Sequence, residues 1–137
     1  MATIGFTNGC FDILHLGHLR YLKEASLRCD KLIVGLNSDK SVTRLKGAGR
    51  PVNSEQNRKE FLEFLTFVDE VIIFEEDTPL NLIRLIVPDV IFKGGDYVVE
   101  DIVGNEFVTS LGGRVEIIEF HEGFSTTKII NDARCIS

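Results

Sequence analysis

The chain has 137 residues, 44% hydrophobic and 26% charged, which suits one ordinary globular core. Its formal net charge of −6 argues against a nucleic-acid partner held by electrostatics, so anionic ligands must be met by a local cluster of cations. No apolar run approaches the ~20 residues of a membrane span, and no signal-peptide pattern opens the chain. Cys10, Cys29 and Cys135 have neither disulfide nor zinc spacing, so a reduced, cytoplasmic, single-domain protein over residues 1–137 is expected.

In chain order, residues 2–7 read as a strand. The stretch Thr7-Asn8-Gly9-Cys10-Phe11-Asp12-Ile13-Leu14-His15-Leu16-Gly17-His18 follows as a small-residue turn running into a helix. Such a strand–turn–helix aims free N–H groups and the positive end of a helix dipole at one spot. His15 and His18, three apart, share a face of the first helical turn, and Gly17 keeps bulk away from anything docked there. Two imidazoles beside orphan N–H groups suit an anion with several oxygens, such as a nucleoside triphosphate. Cys10 reads as a small residue packed beneath the turn. Leu19, Leu22, Ala25 and Ser26 give this helix an inward face to about residue 28.

Residues 31–36 form a nearly continuous apolar run, as in a strand buried on both faces. Asn37-Ser38-Asp39 is a turn and N-cap cluster. Residues 44–51, with glycines, three cations and a proline, read as a loop. Ser54 caps a helix whose apolar face is Phe61, Phe64, Leu65 and Val68. Residues 70–74 are a strand. Thr78-Pro79 opens a helix with Leu82, Ile83 and Ile86 on its face, stopped by Pro88. Residues 89–92 form a strand running into Lys93-Gly94-Gly95-Asp96-Tyr97. Gly104, Phe107, Val108 and Leu111 mark a helix ended by Gly112-Gly113, and residues 114–120 form the last strand. Ser125 caps a final helix, with Phe124 and Ile129 placed to staple it.

Strands alternating with helices imply an α/β fold: a doubly wound, Rossmann-like sheet of five parallel strands in the order 3-2-1-4-5. The turns after strands one, two, four and five then converge on one edge. They bring together His15, His18, Lys46, Arg50, Lys93, Asp96, Ser125, Thr126 and Thr127. This set is rich in phosphate-binding groups and has no nucleophile–base constellation, paired active-site carboxylates or metal-ligand cluster. A Walker A motif and a G-x-G-x-x-G fingerprint are missing, which counts against a P-loop kinase and a dehydrogenase. Direct nucleotidyl transfer between phosphates fits. A phosphate monoester is already ionised, so the protein has only to overcome anion repulsion and stabilise charge on the reacting oxygens. Mg²⁺ bridging the triphosphate is expected, with few protein ligands.

Residues 9–18 resemble the first signature of the HxGH nucleotidyltransferases, the superfamily of cytidylyltransferases and adenylyltransferases. Further stretches are similar to the branch that acts on D-glycero-β-D-manno-heptose 1-phosphate: Phe6-Thr7-Asn8-Gly9-Cys10-Phe11-Asp12, Val34-Gly35-Leu36-Asn37-Ser38-Asp39, Arg44-Leu45-Lys46-Gly47 with Arg50-Pro51-Val52-Asn53, Phe74-Glu75-Glu76-Asp77-Thr78-Pro79, and Lys93-Gly94-Gly95-Asp96-Tyr97. The resemblance implies ATP as nucleotide donor and ADP-heptose and pyrophosphate as products. His15, His18 and Lys46 would be catalytic. Asn8, Gly9, Cys10, Phe11, Gly17, Asn37, Asp39, Arg50, Gly94, Ser125, Thr126 and Thr127 would contact the nucleotide. Asp12, Lys93 and Asp96 would contact the second substrate, and no residue would ligate metal directly. Small molecules are then the partners, with neither nucleic acid nor membrane, and a homodimer is common in such proteins. The alternative is a cytidylyltransferase acting on glycerol 3-phosphate or another small alcohol phosphate. Those enzymes usually carry an arginine five residues before the Ser-Thr-Thr serine, where this chain has Phe120.

Overall fold

Five short runs of aliphatic and β-branched residues supply the strands β1 (Ile4–Gly9), β2 (Lys31–Asn37), β3 (Glu70–Phe74), β4 (Val90–Gly94) and β5 (Arg114–Ile118). The computed structural model describes residues 2–95 and 97–119. All neighbours pair in parallel in the order β3-β2-β1-β4-β5, the expected doubly wound arrangement. Between the strands run α1 (Leu16–Leu27), α2 (Asp39–Lys46), α3 (Glu55–Glu63), α4 (Leu80–Ile86) and α5 (Asn105–Ser110), with a 3-10 turn at Val99–Asp101.

Both faces of the sheet are covered. Tyr21, Leu22 and Ala25 of α1 and Leu62 of α3 pack with Leu32, Val34, Leu36 and Phe92. Leu82 and Ile83 of α4 and Val108 of α5 pack with Phe6, Ile33 and Ile91. Burial on two sides explains why β2 is buried from its second residue to its last and reads as unbroken apolar sequence. Two strand glycines permit this packing. A Cβ on Gly5 would lie 2.6 Å from Phe92 Cε2 and 2.7 Å from Cys29 Sγ, and one on Gly35 would lie 2.8 Å from Phe6 Cζ.

The sheet opens where the order reverses. The β1–β2 ladder runs from Ile4 opposite Lys31 to Gly9 opposite Leu36. The β1–β4 ladder is limited to Gly5 opposite Val90 and Phe6 opposite Ile91. Beyond that no further rung joins β1 to β4, at the topological switch point whose crevice binds ligands in such sheets.

Several local expectations change. The first strand begins at Ile4 and continues to Gly9. Arg44, Leu45 and Lys46 belong to the last turn of α2, so the loop begins only at Gly47, whose φ is +97°. Helix α3 ends at Glu63, and its inward residues are Arg58 and Leu62, whereas Phe61 and Phe64 are 54% and 75% exposed. Val68 is buried but lies beyond the helix, so the apparent period of Phe61, Phe64, Leu65 and Val68 joined two differently directed segments. The N-cap of α4 falls on Pro79, with no side-chain cap bond, rather than on Thr78. Phe120 and the predicted last helix lie outside the described residues.

Candidate active site

Asn8 and Gly9 end β1 at the crevice, and the chain then turns sharply through Phe11, whose φ is +45°. A left-handed aromatic residue is costly and persists only when its surroundings hold it. Here the ring is buried against the turn itself. A Cβ on Gly9 would come within 2.9 Å of Phe11 Cε2, and the ring meets His18 edge-on with centroids 5.3 Å apart. Gly9 is therefore small because Phe11 occupies the space beside it.

Helix α1 starts with a reciprocal cap made of two histidines. The backbone N–H of His18 donates to His15 Nδ1, and that of His15 donates to His18 Nδ1, both at 3.4 Å. This is the capping-box arrangement, with imidazole nitrogens in place of a hydroxyl and a carboxylate. The rings stack with centroids 3.8 Å apart. Because each Nδ1 accepts, the proton of each neutral ring sits on Nε2. Burial, then the neighbouring His15, lowers the His18 pKa to about 4, partly countered by a backbone hydrogen bond to Ile13. Burial lowers His15 as well. Both rings are neutral Nε2–H donors at pH 7. Gly17 is buried between them.

Asp12, expected at the second substrate, is engaged within the protein. Its side chain is wholly buried and its oxygens are taken: Val52 N–H donates at 2.8 Å, Asn53 N–H at 2.9 Å, and Arg50 Nε at 2.9 Å. Burial pushes its carboxyl up, but the Asn53 and Val52 amides and Arg50 outweigh this and hold it below its ordinary value. Asp12 thus fastens residues 50–53 onto the turn after β1. Arg50, expected at the nucleotide, is its 11%-exposed partner. Asn37 is also engaged: it is buried, and its amide donates to Ser41 Oγ at 2.9 Å. Asp39 opens α2, and its Oδ1 accepts from Arg58 Nη2 at 2.8 Å.

Cations gather around Cys10. Burial pushes its thiol up, while Lys46, Arg58 and Arg50 pull it down without prevailing. Lys46 is the last residue of α2. From β4, Lys93 reaches the end of β1, with Nζ 3.5 Å from Asn8 Oδ1 and 5.2 Å from the centre of the Tyr97 ring. Burial lowers its pKa, and Cys10 counters this. Gly94 ends β4 opposite Ile118. Asn8, Gly9, Cys10, Phe11, His15, Gly17, His18, Lys93 and Gly94 thus lie on β1, β4 and the turn and helix that follow β1, while Lys46 ends α2, which follows β2. Asp96, Ser125, Thr126 and Thr127 lie outside the described residues. Arg58, absent from the sequence-derived set, is buried behind the turn. Its only sequence signal is a cation on α3, four residues before the buried Leu62.

A family model described as Cytidylyltransferase-like matches residues 6–132. The Bifunctional protein HldE of Nitrobacter hamburgensis is 59% identical over 130 residues, 95% of this chain and 27% of that protein. The protein of the same name from Syntrophotalea carbinolica is 54% identical over 128 residues, 93% of this chain and 26% of its own length. The chain therefore spans about a quarter of the length of these curated relatives. Among solved structures, the lipopolysaccharide core biosynthesis protein from Thermoplasma volcanium superposes with a TM-score of 0.71 at 28% identity, over 88% of this chain and 98% of that one. Pantothenate synthetase from Thermus thermophilus shares the fold, with a TM-score of 0.56 at 16% identity over 85% and 55% of the two chains.

Proposed function

Because this chain belongs to the cytidylyltransferase-like family, and so is a nucleotidyltransferase enzyme, we propose that it transfers AMP from ATP to D-glycero-β-D-manno-heptose 1-phosphate, giving ADP-heptose and pyrophosphate. The observation that carries this reading is the stacked, neutral histidine pair at the start of α1, with Lys93 of β4 meeting Asn8 at the end of β1, the strand that leads into it. The likeness to a lipopolysaccharide core biosynthesis protein supports the sugar.

A phosphate oxygen of the sugar attacks the α-phosphorus of ATP in line. The new P–O bond forms as the α–β bridging bond breaks, and pyrophosphate leaves with the electron pair. His15 donates from Nε2 to an oxygen that gains charge in the transition state, and His18 does the same by exchanging its bond to the Ile13 carbonyl for one to substrate. Neutral donors serve here, since no proton has to move. Lys46 neutralises the triphosphate from one side. Lys93 meets the acceptor phosphate from the other, its lowered pKa reflecting a partly desolvated ammonium. Asn8, Gly9, Cys10, Phe11, Gly17 and Gly94 line the nucleotide, joined by Ser125, Thr126 and Thr127; Asp96 contacts the sugar. Asp39, Asn37 and Arg50 act on the nucleotide through the turns they hold. Mg²⁺ enters as part of the substrate MgATP, because the carboxylates of Asp12 and Asp39 are already engaged by Arg50 and Arg58. The same reading makes residues 1–137 one catalytic domain, with small molecules as partners, the cytoplasm as its place and a homodimer as its assembly. No helix among the described residues is long and apolar enough to cross a membrane.

The test is pyrophosphate release with ATP, CTP and GTP, each crossed with heptose 1-phosphate, glycerol 3-phosphate and phosphoethanolamine. Release with ATP and the sugar phosphate is expected. Release only with CTP and a non-sugar phosphate would replace this reading with the cytidylyltransferase one. ATP binding with no release from any pair would leave a silent nucleotide-binding module.

A further inference from the structure

Behind the turn lies a guanidinium whose contacts reach three separate loops. Arg58, on α3, is 1% exposed. Its Nε donates to the Asn53 carbonyl at 2.9 Å, its Nη1 to the carbonyls of Cys10 at 2.8 Å and Asn37 at 2.7 Å, and its Nη2 to Asp39 Oδ1 at 2.8 Å. The β1–β2 ladder ends at Gly9 opposite Leu36; Cys10 is the first residue beyond β1 and Asn37 the last of β2. One terminal nitrogen therefore bridges the two chains where the next rung of the ladder would stand.

Stability alone does not call for a cation there. Burying a guanidinium is expensive, and apolar residues of similar volume commonly replace buried ion pairs with no loss of stability. The planar fork offers something an apolar side chain cannot: several fixed donor directions from one rigid group. Those directions set geometry at the site. Across a trans peptide the carbonyl and the following N–H point opposite ways, so holding the Cys10 carbonyl on Arg58 turns the Phe11 N–H to the other side of that peptide plane. Asp39 begins the helix that ends in Lys46, so the same guanidinium also sets where that cation stands relative to the turn.

We propose that Arg58 is a positioning residue for nucleotidyl transfer, aligning the turn after β1 and the helix bearing Lys46 from beneath. This rests on the transfer reading above. Arg58→Lys keeps the charge but puts all donors on one atom, which cannot span four acceptors. Arg58→Met keeps the bulk and loses the donors. Both variants of the full chain should lower kcat by ~10²-fold, the scale of an ångström of misplacement, with the KM for ATP within about threefold of wild type. Backbone amide exchange at Phe11 should quicken in both. Folded variants with unchanged kcat and only a lower melting temperature would overturn the proposal, as would full rescue by lysine. If Arg58→Met fails to fold, Arg58→Lys decides. If the wild type itself transfers nothing, the transfer reading fails on its own. The positioning claim is then judged by the Phe11 amide in Arg58→Lys, and unchanged exchange there sinks it.

Discussion

His15 and His18 carry two duties, since the ring nitrogens that cap α1 are the ones that fix the protons on the opposite side of each ring. Replacing either histidine by alanine should lower turnover by at least ~10²-fold, the usual result of deleting one transition-state donor. Such a variant, still folded by circular dichroism and with near-normal turnover, would end the proposed roles. The cap also makes a pH prediction. His18 is neutral in the folded chain down to about 4, while in the unfolded chain it takes a proton near its ordinary 6.5. The unfolded state therefore binds more protons between those values, and its share of stability, complete above pH 6.5, is lost as pH falls toward about 4. Asp12 adds a second, more acidic limb. Its carboxyl is held below the ordinary 3.8, so its contribution is full above that value and lost as pH falls through the folded one. Melting temperature followed from pH 8 to pH 3 should decline in these two stages. His18→Gln, which keeps a polar reach at the third helical position, should flatten the upper stage alone.

At the scale of elements, α3 gives the sharpest contrast between pattern and structure. Leu62→Ala should cost ~2–5 kcal/mol of unfolding free energy, as buried leucines do, and Phe64→Ala no more than about 0.5 kcal/mol, as at exposed sites. Urea titration of the two variants separates them, and a large loss at Phe64 would contradict the observed helix face. The strands were legible because a parallel sheet covered on both faces demands short, unbroken apolar runs, and β3 appears with the predicted bounds, Glu70–Phe74. The parallel, doubly wound sheet followed from the alternation of those runs with helices. Sequence periodicity misplaced the α3 face because it does not mark where a helix stops, and Phe61, Phe64, Leu65 and Val68 kept their spacing across the break. Among the site residues, His15 and His18 stood out because two imidazoles three apart have a clear chemistry. The pairing of Asp12 with Arg50 was not legible, because nothing in one dimension shows that residues 50–53 fold back onto residue 12. Arg58 was overlooked because a charged residue within a helix reads as surface, and only the fold shows four backbone and side-chain acceptors converging on it.

At the scale of the whole molecule, the close approach of helices and sheet depends on positions without side chains. Gly5→Ala places a methyl group against Phe92 and Cys29 inside a core with no slack. It should cost ~1–3 kcal/mol, the usual penalty of overpacking, read as a drop in melting temperature with the transition still cooperative. A neutral result would mean that the layers can move apart more readily than the packing of Phe92 implies. The sparse pairing of β1 with β4 has a further consequence. The sheet consists of two sets of strands, one of β1 with β2 and β3 and the other of β4 with β5, joined by a ladder only two rungs long, and their side chains share a core on each face. A guest lodged in the crevice would grip Asn8 on one set and Lys93 on the other, and so act as a rivet across that ladder.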